Sequence, residues 1–329
     1  MTVLVLVETE DNAGAAEVAE VSLETLTFAR ALGGVHALVV GEAPPAVVEQ
    51  LASYGVERVL VAAGEPFSSY AAAAWASAVV AAVRSGDQVT AVTAAGTPRG
   101  NEVLAHVACR LGVAMAANVV AVEGAGNAPL TVSRQVLGGS ALEVMPLADS
   151  VAVLTVAGHA CDPRPAESAS SPDVETLQVE VSDADLRARV VRTEPGEPDE
   201  SGGLKSARVV IGAGRGAGSA DGFKDLVELT ELLDNAALGV SRVVTSLGWR
   251  PHHEQVGQTG SRVTPDLYVA CGISGAIQHW AGMSSSKTIL AINTDPDAPM
   301  VTKAHYAVIG DLHEVVPAIN EELRRRHAG

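Results

Sequence analysis

The sequence predicts an α/β protein of two domains, each a mostly parallel β-sheet flanked by helices. Short apolar runs alternate with longer helical segments through the 329 residues, which is the rhythm of βαβ units. Hydrophobic residues make up 47% of the chain and aromatic residues only 3%, so the core must be aliphatic, as in parallel sheets covered on both faces. The alternation stops at a polar segment and then restarts, and a chain of this length has room for two domains.

The first domain is predicted to cover residues 1–190. Its elements follow from apolar runs and from Ala-rich segments with helical spacing. The predicted parallel strands are Val3–Val7, His36–Val40, Arg58–Ala62 and Gln88–Thr93, and the predicted helices are Ala15–Leu32, Pro44–Tyr54, Phe67–Val83 and Glu102–Leu111, the last opened by Pro98 in its first turn. Leu130–Leu137, Ala141–Pro146 and Val151–Val156 are expected to close the domain as antiparallel strands, with Val174–Val181 as one more candidate strand.

Residues 191–205 are predicted to be a linker, because residues 192–203 contain two prolines, three glycines and four acidic residues and cannot build a core. The second domain is then expected over residues 206–329. Its predicted strands are Arg208–Ile211, Leu267–Cys271, Thr288–Ile292 and Tyr306–Ile309, and its predicted helices contain Phe223, Leu226, Thr230 and Leu233 on one face and Leu312, Val315, Val316, Ile319 and Leu323 on another.

Charge and composition exclude several classes of protein. The net charge of -17 disfavours binding to nucleic acid, and the scarcity of aromatic residues argues against platforms for base stacking. The cysteines Cys109, Cys161 and Cys271 lie far apart, so we expect a reducing, cytoplasmic environment. The N-terminal apolar run Val3–Val7 is too short to insert into a membrane, and the adjacent histidines before Glu254 lack metal-ligand spacing, so no metal site is predicted.

Two glycine-containing loops are the most informative features of the chain. The first is Gly257–Gly260, and the second, Gly272–Gly275, follows the apolar run Leu267–Cys271 and leads into a predicted helix. A strand that ends in such a loop before a helix offers backbone N–H groups to an anion, most often a phosphate. The sequence therefore predicts a phosphate-bearing cofactor, although Gln258-Thr259 in the first loop could also belong to a plain turn.

A third loop, Gly212–Ala217, fits the G-x-G-x-x-A pattern of dinucleotide-binding proteins, with Asp234 about twenty residues further on. A tight turn that only reverses the chain is equally compatible with it. Arg215 in this loop favours an anion, and Arg242 could be either a surface residue or a cation beside a ligand. His279 is likewise open to a structural or a functional interpretation.

Taken together, these segments resemble the alpha subunit of electron-transfer flavoproteins. The resemblance rests on Val256–Gly260, Pro265–His279, Ala281–Met283, Ser286–Ile289 and Ala291–Asn293, and it continues through Asp295, Ala298-Pro299 and Gly310–Leu312. It covers the second domain densely, whereas the first domain matches only in length and in its βα rhythm. One departure is Ser246, where many family members carry Asp, which leaves partner identity and redox tuning open.

The resemblance implies that FAD is held mainly by the second domain, which would be a Rossmann-like FAD-binding domain. The implied contacts to the phosphate, ribose and adenosine parts are Arg215, Ser241, Asn293, Asp311 and Leu312, and those to the diphosphate and ribityl parts are Ser274, Gly275, Ala276, Ile277, Gln278 and His279. In the loop Val256, Gly257, Gln258 and Thr259, the threonine would donate to flavin N5. Arg242 would lie over the isoalloxazine ring and His279 at its O2 edge, so Arg242, Thr259 and His279 would tune the redox potential.

The implied function is that of an electron carrier without catalytic residues of its own. It would form a heterodimer with a beta subunit, contacted by the first domain, and carry electrons from flavin dehydrogenases such as acyl-CoA dehydrogenases, in fatty acid β-oxidation, to a quinone oxidoreductase or the respiratory chain. The alternative is an NAD-dependent oxidoreductase that uses Gly212–Ala217, but no catalytic acid or base can be assigned to it. A module that has lost its cofactor is a third interpretation, against which the presence of Arg242, Thr259, Ser274 and His279 argues.

Overall fold

The computed structural model describes residues 2–12, 15–85, 88–124, 129–137, 141–158, 160–193, 203–204 and 206–327. The chain divides into two compact units, Met1–Val136 with Ala141–Glu194, and Leu137–Ser140 with Pro195–Gly329. Of the predicted linker 191–205, residues 194–202 and 205 lie outside the described residues, and the domain boundaries stay a prediction. No helix in the described ranges is both long and apolar enough to cross a membrane.

The first unit contains a large sheet flanked by helices. Its strands are β1 (Thr2–Val7), β2 (Thr9–Asn12), β3 (Ala15–Val18), β4 (Gly34–Val40), β5 (Val56–Ala62), β6 (Val89–Ala95), β7 (Met115–Glu123), β8 (Leu130–Val136), β9 (Ala141–Leu147), β10 (Ala152–Val156) and β11 (Asp173–Thr176), and its helices are α1 (Glu20–Ala29), α2 (Pro45–Ser53), α3 (Ala72–Arg84) and α4 (Pro98–Leu111). The strand order of the large sheet is β11-β5-β4-β1-β6-β10-β7-β8-β9, and only the pairs β7–β8 and β8–β9 are antiparallel.

Both faces of this sheet are buried, which explains the continuous apolar runs of its strands. Along β1, Val3 and Val5 pack in a cluster with residues of α1 and α2, whereas Leu4 and Leu6 pack in a second cluster with residues of α3 and α4. Helices therefore cover the two faces separately, as expected for parallel βαβ units.

Three sequence-based expectations for the first unit are wrong. Of the candidate strand Val174–Val181, only the part up to Thr176 belongs to a strand, β11, and it pairs parallel with β5. Residues 15–18, predicted to open a helix, form β3, which pairs antiparallel with β2, and α1 begins only at Glu20. The sequence predicts Val151–Val156 as an antiparallel strand, but β10 lies parallel between β6 and β7 and is buried along its whole length. A short, uninterrupted apolar run is typical of a central parallel strand, and its burial on both faces is the physical reason for this placement.

The second unit contains a parallel sheet in the order β13-β12-β14-β15-β16. Its strands are β12 (Val209–Ala213), β13 (Ala236–Val240), β14 (Leu267–Cys271), β15 (Thr288–Asn293) and β16 (Tyr306–Ile309), and its helices are α5 (Lys224–Glu231), α6 (Arg242–Ser246), α7 (Ile277–Met283), α8 (Pro299–Lys303) and α9 (Leu312–His327). Residues of α5 and α9 pack on one face, and residues of α7 and α8 on the other. The predicted fold class, two α/β domains with mostly parallel sheets, is confirmed.

The connectivity of the second sheet determines where its loops meet. From β12 the chain continues to β13 on one side and then returns to β14 on the other, so the strand order reverses at β12. In open α/β sheets, ligands bind at such a switch point, outside the carboxyl ends of the strands. The loops after β12, β13, β14 and β15 share this edge.

Candidate cofactor-binding site

A cavity of about 840 Å³ opens in the second unit at the carboxyl ends of its strands. Its volume lies in the upper part of the range for small-molecule and cofactor sites. All the predicted cofactor-binding residues line it except Gly275 and Ile277: the lining members are Arg215, Ser241, Arg242, Val256, Gly257, Gln258, Thr259, Ser274, Ala276, Gln278, His279, Asn293, Asp311 and Leu312. Ile277 is instead 73% exposed, and Gly275 lies against the backbone of Met300 in α8.

The glycines of the loop after β12 allow it to pack directly on the loop after β14. The N–H of Gly214 donates to the carbonyl of Cys271 at 2.9 Å, and that of Gly216 donates to the carbonyl of Gly272 at 3.1 Å. A Cβ at Gly214 would overlap the carbonyl oxygen of Gly272, so a larger residue cannot be accommodated there. The two loops together form one wall of the cavity.

The same loop lacks the geometry expected of a dinucleotide fingerprint. A 3₁₀ turn at Arg215–Ala217 and a second one at Ala220–Phe223 follow β12, and the α-helix begins only at Lys224. In the fingerprint, the glycine-rich turn leads directly into the helix whose N-terminus binds the diphosphate. The structure therefore does not support the NAD-dependent alternative for Gly212–Ala217.

Backbone donors gather in the loop that follows β14. Within the described part of the chain, the N–H groups of Ser274, Gly275 and Ala276 make no hydrogen bond. The side-chain amide of Asn293 donates to the carbonyl of Ile273 at 3.0 Å, which ties this loop to the end of β15. A succession of unpaired N–H groups in a fixed, glycine-containing loop is an anion-binding arrangement.

Two cations lie on the cavity wall. Arg215 and Arg242 are both exposed, and neither forms an ion pair with any residue that the structure describes. The acidic side chains of the cavity are already engaged in part, because Asp311 accepts from the N–H of His313 at 2.9 Å and Asp295 accepts from that of Asp297 at 2.9 Å. The arginines and the backbone donors therefore favour an anionic ligand.

The loop that carries Thr259 is held by its own backbone. The N–H groups of Gly257 and Gly260 donate to the carbonyls of Ser261 and Gly257, each at 3.1 Å, and the N–H of Gln258 donates to the carbonyl of Gln278 at 2.7 Å. A Cβ at Gly260 would overlap the carbonyl oxygen of Gln255, so the tight turn requires glycine. This turn exposes the side chains of Gln258 and Thr259 on the cavity wall.

His279 is a buried, neutral side chain at the base of the cavity. Its exposed fraction is 6%, and its Nε2 lies 2.9 Å from the hydroxyl of Tyr268. Its Nδ1 is buried and has no hydrogen-bond partner among the described residues. Burial lowers the pKa of His279 to about 4, with the Val256 carbonyl opposing the shift in part, so the imidazole is uncharged at neutral pH.

Comparison with known proteins identifies the family. Residues 3–182 match the family model described as "electron transfer flavoprotein domain", and residues 203–284 match that described as "electron transfer flavoprotein FAD-binding domain". The chain is 33% identical over 326 residues to the electron transfer flavoprotein subunit alpha of Bacillus subtilis, which covers 98% of this chain and 97% of that protein. It is 37% identical over 329 residues to the subunit alpha of Mycobacterium leprae, covering 98% of each chain.

The chain belongs to the electron transfer flavoprotein alpha-subunit family. The similarity extends to eukaryotes, since the probable mitochondrial subunit alpha of Caenorhabditis elegans is 35% identical over 315 residues, covering 93% of this chain and 90% of that protein. The predicted family and the predicted cofactor, FAD, are confirmed, and residues 203–284, matched by the FAD-binding model, lie in the second unit.

The cavity of this electron transfer flavoprotein subunit fits FAD in its chemistry. The N–H groups of Ser274–Ala276 and the cations of Arg215 and Arg242, which have no partner among the residues that the structure describes, suit a diphosphate. Asn293 and Asp311 lie outside residues 203–284, the range matched by the FAD-binding model, yet they complete the wall of the same cavity. The roles of the individual side chains stay predictions.

The structure also adds residues that the sequence patterns do not reveal. Gln255, Ser246, Leu247 and His313 line the cavity in the electron transfer flavoprotein subunit. Gln255 stands immediately before Val256, and one of its side-chain partners, Thr245, comes from α6, which the sequence pattern does not reveal. The described ranges contain no cluster of ligand-type side chains that could hold a metal ion.

Proposed function

We propose that this protein is the FAD-bearing alpha subunit of a heterodimeric electron carrier, and that it does not itself transform a substrate. The single observation that carries the proposal is the cavity of the FAD-binding domain, which Ser274, Ala276, Arg215 and Arg242 line and where the N–H groups of Ser274–Ala276 bond to no residue that the structure describes. These groups bind and polarise a ligand. The one imidazole there that is buried, His279, is uncharged at neutral pH, so the positive charge on the described cavity wall comes from the arginines.

In this proposal the two ends of the cavity have different tasks. Ser274, Gly275 and Ala276 bind the diphosphate through their N–H groups, with Gln278 and His279 continuing along the ribityl part, whereas Ile277 lies outside the cavity lining. Arg215, Ser241, Asn293, Asp311 and Leu312 bind the adenosine end. Val256, Gly257, Gln258 and Thr259 form the loop beside the flavin ring.

Bound FAD supplies reversible redox chemistry, and the protein sets its orientation and electrostatics. The positive charge of Arg242 would stabilise negative charge on the flavin ring, and the hydroxyl of Thr259 would donate a hydrogen bond to the ring. His279 is uncharged, and its Nδ1, which has no hydrogen-bond partner among the described residues, would be a further donor to the ring. These three side chains would thereby raise the potential of the first electron step.

We further propose that the first unit binds a beta subunit. The family name of the relatives, subunit alpha, implies a second subunit. The large sheet of the first unit also has β9 as one of its edge strands, and Leu142 and Val144 on this strand are 66% and 68% exposed. An exposed apolar edge strand is a liability unless another chain covers it, which supports an interface at this edge.

The donors and acceptors that we propose are flavin dehydrogenases such as acyl-CoA dehydrogenases and a quinone oxidoreductase or the respiratory chain. This assigns the protein to fatty acid β-oxidation in the cytoplasm. Cys109, Cys161 and Cys271 form no disulfide among the described residues, which is compatible with a reducing compartment.

The test is anaerobic electron transfer to the complex of the alpha and beta subunits. An acyl-CoA dehydrogenase reduced by its acyl-CoA should bleach the yellow absorption of the complex when present in catalytic amounts, whereas acyl-CoA alone should not. A dehydrogenase that reduces an artificial dye acceptor but leaves the complex oxidised would contradict the assignment of the donor.

A further inference from the structure

The side chain of Gln255 joins two threonines beside the cavity. Gln255 is 3% exposed and lines the cavity. Its Oε1 lies 2.9 Å from the hydroxyl of Thr245, in α6, and its Nε2 donates to the hydroxyl oxygen of Thr259 at 3.0 Å. The Thr245 hydroxyl is also 2.9 Å from the carbonyl of Arg242, at the start of the same helix. A hydrogen-bonded chain thus runs from α6 to the loop that carries Thr259.

The direction of these hydrogen bonds determines whether the Thr259 hydroxyl can donate a hydrogen bond to a ligand. A hydroxyl has one hydrogen to donate and two lone pairs to accept with. Because the Gln255 amide donates to Thr259, it occupies a lone pair of that hydroxyl and leaves its hydrogen free. The Thr259 hydroxyl donates to no acceptor among the described residues, and its side chain is exposed on the cavity wall, so the hydrogen is available to a ligand there.

The opposite orientation of the amide would reverse the chemistry. With Oε1 toward Thr259, the amide oxygen would accept the hydrogen of that hydroxyl, and a ligand would meet only lone pairs. The Thr245 hydroxyl has one hydrogen and lies 2.9 Å from both Oε1 and the Arg242 carbonyl, so it opposes this orientation when its hydrogen goes to Oε1. In the orientation observed, the Gln255 amide gives Thr259 its donor character.

The fold of the loop does not depend on this side chain. The N–H of Gln255 donates to the carbonyl of His252 at 3.0 Å, and its carbonyl accepts from the N–H of Ser261 at 2.6 Å. The next residue, Val256, is held by a bond from its N–H to the carbonyl of Val240 at 2.9 Å. Main-chain bonds thus hold the segment, and the Gln255 amide is free for another role.

We propose that Gln255 is a positioning residue, which presents the Thr259 hydroxyl as a hydrogen-bond donor to the flavin ring in the cavity. This inference rests on the proposed function, in which Thr259 faces N5. Gln255 itself need not touch the cofactor, because its effect passes through Thr259.

The test uses the FAD-loaded complex of the alpha and beta subunits and the reduction potential of its flavin. The variants are Gln255→Leu, which keeps much of the volume without hydrogen-bonding groups, Thr259→Val, and the double variant. Both single variants should lower the potential of the first electron step and change the visible spectrum of the flavin. The double variant should have the same potential as Thr259→Val alone. Each should weaken FAD binding by about two- to tenfold, the worth of one hydrogen bond.

Two further variants act as controls. Thr259→Ser keeps the hydroxyl, so adding Gln255→Leu to it should again lower the potential. Thr230→Val removes a hydroxyl that donates to the carbonyl three residues earlier, as Thr245 can, but on α5 and outside the cavity. It should leave potential and spectrum unchanged, whereas Thr245→Val should lower the potential by a smaller amount than Gln255→Leu.

The outcomes separate the two proposals. A Gln255→Leu shift that adds to the Thr259→Val shift, or an unchanged potential in Gln255→Leu, would overturn the positioning role while the complex still carries FAD. If the Gln255→Leu protein does not accumulate, Thr245→Val is used in its place. The change in potential that Thr245→Val causes in the wild-type protein should be absent when it is added to Thr259→Val. A wild-type complex that binds no FAD would instead overturn the proposed function, and the role of Gln255 with it.

Discussion

The hydroxyl of Tyr268 lies 2.9 Å from Nε2 of His279, and both side chains are buried. Burial holds the pKa of the Tyr268 phenol above its usual range and lowers the pKa of His279 to about 4, so both groups are uncharged at neutral pH. In the described part of the chain, His279 is the only hydrogen-bond partner of this hydroxyl. Because the phenol has no other acceptor among the described residues, we expect it to donate to Nε2, which places the hydrogen of the neutral imidazole on Nδ1.

Removing the Tyr268 hydroxyl should remove the preference of the His279 ring for the Nδ1–H tautomer. We expect Tyr268→Phe to cost about 1–3 kcal/mol of unfolding free energy, because Nε2 is left without a buried partner. The ¹⁵N chemical shifts of the His279 ring should show a change in the balance between the Nδ1–H and Nε2–H forms. Tyr306→Phe, at a side chain that is 66% exposed, is the matched control. Unchanged ¹⁵N shifts in Tyr268→Phe would show that the phenol does not fix the tautomer.

The stability of the second unit should depend on pH through His279. Its folded pKa of about 4 lies below the ordinary value of 6.5, so the unfolded chain takes up the proton first as the pH falls. The associated stability is present in full above about pH 6.5 and is lost progressively toward pH 4, by roughly 3 kcal/mol in total. Urea unfolding of the full chain at pH 7 and pH 5 should show this loss, and His279→Gln should remove it. An equal loss in the variant would assign the pH dependence to other groups.

The charge of Arg242 should raise the potential of the bound flavin. Arg242→Ala should lower that potential by the equivalent of about 1–3 kcal/mol, nearer the lower value because the side chain is exposed and screened. Spectroelectrochemical titration of the complex measures the change. Arg262→Ala removes an equal charge from an exposed side chain that does not line the cavity, and it should have little effect. Similar shifts in the two variants would indicate a general effect of net charge.

The contact between Gly214 and Gly272 should be essential for the cofactor site. In Gly214→Ala the new methyl group would overlap the carbonyl oxygen of Gly272, so the two loops must separate and FAD should be lost. Gly218 lies in the same loop with φ +77° and open space around it. Gly218→Ala should therefore cost only the backbone strain of a non-glycine residue at this positive φ, about 1–3 kcal/mol, and retain FAD. The flavin content of the purified complexes compares the two, and full FAD retention in Gly214→Ala would contradict the assigned packing.

The sequence predicts strands best where their ends are marked. Leu267–Cys271 is entirely apolar and is followed by Gly272, and the structure confirms both of its bounds. By contrast, β13 (Ala236–Val240) is not predicted, because it is short and contains Ala and Gly, which have low strand propensity. The direction of β10 could not be predicted either, since its neighbours β6 and β7 come from distant parts of the chain.

The site shows the same division between local and tertiary information. Glycines mark the loops that form the cavity, so Thr259 and Ser274 can be selected from the sequence alone. The pairing of Gln255 with Thr245 and Thr259 has no such marker, because it depends on how α6 packs beside the loop. The burial of His279 against Tyr268, which fixes its charge, is likewise a property of the folded unit.

The most direct test of the central claim is the flavin content of the alpha subunit co-expressed and purified with its beta subunit. We predict a yellow complex that releases FAD on denaturation. The cavity in the second unit should account for one FAD per alpha subunit. The complex with Gly214→Ala, prepared in parallel, should be colourless. A folded wild-type complex that is colourless and does not bind added FAD would contradict the account of the cavity.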